Sequence, residues 1–105
     1  MKNQLNRGMR RRIMYVENKD GTIEGVAARI GWVDFSKTGQ TIYYRGLILQ
    51  KGNMVRGNFF DVITGEEYWV SGVKKRGSNA HPAEKAVAIE IDADALAEYQ
   101  KLKDE

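Results

Sequence analysis

The sequence predicts a mainly β fold, a small antiparallel barrel or strongly bent sheet of about six strands, closed by one C-terminal helix. Three observations carry this. Residues 30–35 and 41–45 are rich in β-branched and aromatic side chains, and Ser36-Lys37-Thr38-Gly39-Gln40 between them has the glycine and small polar groups of a tight reversal. Residues 58–63 and 66–71 repeat that pattern around Thr64-Gly65, a second hairpin. Gly31 and Gly46 interrupt long strand patterns, as small barrels do where a strand turns a corner.

Taken in order, residues 1–9 lack apolar periodicity and form a flexible tail, which leaves 10–105 as a single domain. Residues 10–17 are the first strand, with Ile13 and Tyr15 on one face, Met14 and Val16 on the other, and Asn18-Lys19-Asp20-Gly21 as its turn. The second strand starts at Val26, where Ala27, Ala28 and Gly31 are small enough for a bend or for close approach of another backbone. Residues 41–49 form the third strand, with Gly46 inside it, and residues 51–57 a polar loop. After the second hairpin comes a basic, flexible loop over 73–82 that holds the only proline. Residues 86–91 then alternate, placing Val87, Ile89 and Ile91 inward. Asp92 suits the N-cap of a helix over 93–103, whose buried stripe is Leu96, Tyr99 and Leu102.

The chain has no cysteine, which excludes disulfides, thiolate nucleophiles and cysteine-ligated zinc, and fits a reducing cytoplasm. A net charge of +3 is mild and says more about solubility than about a partner. No apolar run approaches the ~20 residues that cross a bilayer, and the basic first residues are not followed by a secretory apolar segment. A cytoplasmic protein without a membrane partner is expected.

Catalytic residues are not assigned, and a non-enzymatic role is expected. His81 is the only histidine and lies in the flexible loop, while Ser36 and Ser71 have no local base. Asp61, Glu66 and Glu67 lack calcium-loop spacing. Across neighbouring strands Asp34, Asp61 and Glu67 are better read as ion-pair partners of Arg45 or Lys37 than as a metal cluster. The glycines do not make a phosphate-cradling loop, so neither metal nor cofactor is implied. The suggestive pattern is cations interleaved with rings. Arg10, Arg11 and Arg12, then Tyr43 and Arg45, then Trp69 with Lys74, Lys75 and Arg76, supply charges for phosphates and flat faces for bases. Single-stranded RNA or DNA is the leading ligand. The core competes for the rings, since one of Tyr43 and Tyr44, and one of Tyr68 and Trp69, must turn inward. The alternative is a protein partner or a homodimer, because the strands at 41–45 and 58–63 carry apolar residues on both faces.

Arg29-Ile30-Gly31, Phe35-Ser36-Lys37-Thr38-Gly39, Thr41-Ile42-Tyr43-Tyr44-Arg45-Gly46, Phe60-Asp61-Val62 and Thr64-Gly65-Glu66-Glu67-Tyr68-Trp69-Val70-Ser71-Gly72, followed by Lys74-Lys75, occur in order. In these blocks the chain resembles a family of small, uncharacterised bacterial proteins of about this length, over residues 13–99. The resemblance implies the same fold and a bacterial source, and it implies no activity. Some of those relatives bear the name of a deoxyxylulose-phosphate synthase, a thiamine-dependent enzyme far larger than a single 105-residue domain. The chain departs from them at Trp32, where they have an arginine, and in the length of the loop holding Asn79-Ala80-His81-Pro82-Ala83.

Overall fold

The computed structural model describes residues 9–73 and 87–104. Its strands are β1 (Arg10–Asn18), β2 (Ala28–Phe35), β3 (Thr41–Tyr44), β4 (Leu47–Lys51), β5 (Phe59–Asp61), β6 (Glu67–Gly72) and β7 (Ile89–Ile91). A 3-10 turn (Ala93–Ala95) and helix α1 (Leu96–Asp104) follow. Each of β1 to β6 pairs antiparallel with its neighbours in the order β1-β6-β5-β4-β3-β2, and β1 pairs again with β2, so six strands close into a barrel. Closure leaves open the edge at the start of β2, which β3 does not reach. β7 pairs with the start of β2 as its parallel neighbour in the same sheet, with Ala28 opposite Ile89 and Ile30 opposite Ile91.

Pleating divides the apolar side chains into two cores. Val16, Val33, Ile42, Tyr44, Leu49 and Tyr68 point into the barrel and fill it. Ile13, Tyr15, Ala28 and Ile30 point out from β1 and β2, where Ala95, Tyr99, Leu102 and the β7 isoleucines cover them. β1 is therefore buried on both faces from Ile13 to Asn18, which is why its sequence lacks a polar alternation. Even Glu17 is enclosed. Its carboxylate accepts hydrogen bonds from the Tyr15 hydroxyl at 2.6 Å and the Lys19 ammonium at 2.9 Å.

Several elements differ from expectation. The third strand is two. Arg45 and Gly46 both take positive φ, 48° and 81°, and make a two-residue reversal between β3 and β4. Positive φ at both central positions matches the right-handed twist of the flanking strands, so Gly46 is a turn residue and not a corner within a strand. The close approach at Gly31 is real, but the visitor is a side chain, the carboxylate of Asp92. Asp92 precedes the 3-10 turn without capping it, because its carboxylate is drawn into the barrel wall. The helix accordingly starts later. Ala95 of the 3-10 turn, with Tyr99 and Leu102 of α1, makes the inner stripe, while Leu96 stays 43% exposed. Glu67 is not a free surface acid. Its Oε1 accepts the backbone N–H groups of Arg56 and Gly57, at 2.7 and 3.1 Å. Among the described residues no helix is long and apolar enough to cross a membrane.

Candidate functional site

The site is built where β2 changes partners. Its first residues pair with β7 and its last two, Asp34 and Phe35, pair with β3, so a fork opens beside Gly31. Asp92, carried in by β7, fills the fork. Its Oδ2 accepts the Tyr44 hydroxyl at 2.5 Å, and its Oδ1 lies 3.2 Å from Arg29 Nη1 and 3.3 Å from Arg45 Nη1. Arg29 is buried and donates its other N–H groups to the carbonyls of Ile23 and Glu24, both at 2.8 Å. A buried charge needs this full set of partners, because each one missing leaves an ion in a poorly solvating interior.

Protonation follows the same geometry. Burial, then its donation to Asp92, holds the Tyr44 hydroxyl far above the ordinary tyrosine range. Arg45 donates to Glu24 at 2.5 Å, which raises the guanidinium further and lowers the Glu24 carboxyl.

Over this buried network lies a cleft of about 330 Å³ lined by Arg11, Trp32, Asp34, Tyr43, Arg45 and Asp94, with Tyr44, Gly46 and Asp92 at its base. Arg11 stands over the Trp32 ring, its guanidinium carbon 5.4 Å from the centroid, and its Nε is 3.4 Å from Asp34. The Trp32 indole N–H donates to the Asp94 carbonyl at 3.0 Å, which fixes the ring. Thus Asp34 pairs with Arg11, and Arg45 with Glu24 and Asp92. The cross-strand pairing of Asp34, Asp61 or Glu67 with Arg45 or Lys37 is absent among the described residues, since the turn swings Arg45 away from Asp34.

Of the residues singled out from sequence, Arg11, Tyr43 and Arg45 converge on this cleft. Arg10 lines an adjoining hollow, and Arg12 a third beyond Trp32. Trp69 is on the far flank of β1, opposite Glu17, half-buried in the layer under the helix. Lys74, Lys75, Arg76 and the loop with His81 lie outside the described residues. Tyr44 and Tyr68 are the two rings that turn inward, and Tyr43 is 39% exposed. Sequence reasoning passed over Trp32, Asp34 and Asp92 as site residues. One signal pointed there: Arg29 has the same strand parity as the inward Val33, and an inward arginine requires a buried acid. Among the described residues no group of three histidine, aspartate or glutamate side chains has metal-holding geometry.

Neither family models, curated proteins nor solved structures match this chain.

Proposed function

We propose that this chain is a non-enzymatic binding module whose ligand is a protein chain, a separate partner or a second copy, docked on the outer wall of β2, β3 and β4. One observation carries the reading. Register aligns Arg11, Asp34, Tyr43 and Ile48 in a single lateral row, and the Val62 N–H donates to the Ile48 carbonyl at the row's end. Tyr43 and Ile48 are each 39% exposed, Val62 44% and the adjacent Ile63 82%. A contiguous apolar stripe with a charged end is the signature of a contact surface. The cleft's cations support a phosphate ligand less well, because Arg11 and Arg45 are each held by carboxylates and Asp34 and Asp94 stand beside them.

Single-stranded nucleic acid is the second reading. It is favoured by the exposed run Arg10, Arg11 and Arg12, of which Arg11 shares its cleft with the open ring of Tyr43.

Affinity purification from the native cell, with and without nuclease, and sedimentation of the pure protein separate the two. Under the protein reading, a nuclease-resistant stoichiometric partner or a mass above one chain is expected, and Ile48→Glu removes it. Recovery of nucleic acid alone, with affinity that collapses as salt rises, favours the second reading. A single-chain mass with no companion that Ile48→Glu displaces sinks the first.

A further inference from the structure

We propose that the cleft beside β2 is a receptor for a guanidinium group, occupied in the resting chain by its own Arg11, and that the protein partner inserts an arginine in its place. This rests on the protein-binding reading and names what the partner carries.

Arg11 shows which chemistry the cleft accepts. A flat cation lies over a flat ring while a carboxylate takes its N–H, an arrangement that guanidinium fills better than ammonium because it is planar, weakly hydrated and multiply donating. The receptor is rigid. Trp32 is fixed through the Asp94 carbonyl, and Asp34 sits in the paired part of β2. The occupant is not. The Arg11 side chain is 61% exposed, and an exposed ion pair of this kind contributes little. Acid remains to recruit a stronger cation. Asp92 is balanced by Arg29, Arg45 and the Tyr44 hydroxyl, whereas the Asp94 carboxylate has no ion pair among the described residues.

Arg11 is also a partition. The cleft of about 330 Å³ and the adjoining hollow of about 370 Å³ share only Arg11 and Asp34 among their walls. Withdrawal of Arg11 removes one of their two shared walls, and Tyr43, which lines the cleft, stands beside Ile48 in register. An extended peptide whose arginine covers Trp32 then lays its neighbouring side chains on the exposed apolar row. Arg11 acts as an internal competitor, so apparent affinity is lowered by the fraction of time in which it holds the ring.

The test uses the full chain with Trp69→Phe, so that Trp32 is its sole indole. The probes are acetyl-Gly-Arg-Gly-amide and the same tripeptide with citrulline, a neutral isostere. The arginine peptide is expected to shift the Trp32 indole N–H resonance saturably, and the citrulline peptide to leave it in place. Arg11→Ala should tighten binding at least about threefold, and Asp34→Asn should weaken it about tenfold or more. Equal response to both peptides, or Arg11→Ala binding no better than the parent, overturns the proposal. Arg11→Lys, which keeps charge and loses the planar stack, should fall between parent and alanine. Ile48→Glu lies outside the cleft and should leave tripeptide binding unchanged. Tripeptide binding without any captured partner therefore defeats the protein-binding reading alone. Partner capture that Ile48→Glu abolishes, with no tripeptide binding, defeats this inference alone. Self-association that the arginine tripeptide blocks makes a second copy the donor and overturns the assignment to a different protein.

Discussion

Gly31 is the residue on which the seam depends. A Cβ there would overlap the Asp92 carboxylate and come within 3.0 Å of the Tyr44 ring. That carboxylate is held by several donors and has nowhere to move, so Gly31→Ala is expected to destabilise by about 1–3 kcal/mol, read as a lower urea midpoint at unchanged slope. Asp92→Ala takes from the buried Arg29 guanidinium its nearer carboxylate and leaves it only the exposed Glu90, 3.6 Å away, and a loss of about 3–5 kcal/mol is expected in the same titration. A loss below 1 kcal/mol, on the order of a surface pair, would show that Arg29 is solvated and the seam open. Asp20 contributes to how stability falls in acid. The backbone N–H of Glu67, and then the Arg56 guanidinium, hold its carboxyl below the usual range. A folded pKa that is lowered contributes stability above the unfolded value of about 4 and loses it as pH falls through the folded one. Asp20→Asn should therefore flatten the fall in stability below about pH 4 and lower stability at neutral pH.

At the scale of elements, the β3–β4 reversal and the helix are separable tests. Gly46→Val places a β-branched residue at φ 81° and should cost about 1–2 kcal/mol, because the left-handed region crowds Cβ against the following carbonyl. A neutral result would indicate that the turn relaxes to another type. The C-terminal elements cover Ile13, Tyr15 and Ile30. A chain ended after residue 91 is thus expected to bind a hydrophobic dye and to self-associate, with the loss of Asp92 opening the seam as well. Both hairpins were legible in advance, since alternation and turn chemistry are local. The split at Arg45 was not, because a non-glycine residue at positive φ reads like any strand residue until its register is known. Tyr99 and Leu102 of the expected helix stripe were legible too, whereas the replacement of Leu96 by Ala95 in it was not.

The whole molecule sets the alkaline limit. Burial and the neighbouring carboxylates of Glu66 and Asp61 push the Tyr68 hydroxyl up to about 12. Burial and donation to Glu17 raise Tyr15 further, as burial and Asp92 do for Tyr44. A group kept neutral by the fold stabilises it fully below its unfolded pKa near 10 and loses that contribution as pH climbs toward the folded value. These three rings should therefore ionise together with unfolding, above about pH 10, in a tyrosinate absorbance titration run beside circular dichroism. Ionisation of all three in a chain that keeps its far-ultraviolet spectrum would mean the barrel interior is wet.

By itself the sequence determined what local chemistry determines: alternation, turns, a terminal helix, and the need for half of the rings to face inward. It also singled out three residues that line the cleft, Arg11, Tyr43 and Arg45. Only the tertiary structure decided that Trp69, outward on its strand, is covered by a second layer, and that Trp32, Asp34 and Asp92 stand with those three in one cleft. The reason is distance along the chain. Parity is written in neighbouring residues, whereas the arrival of Asp92 beside Gly31 depends on where a parallel strand dozens of residues later finds its edge.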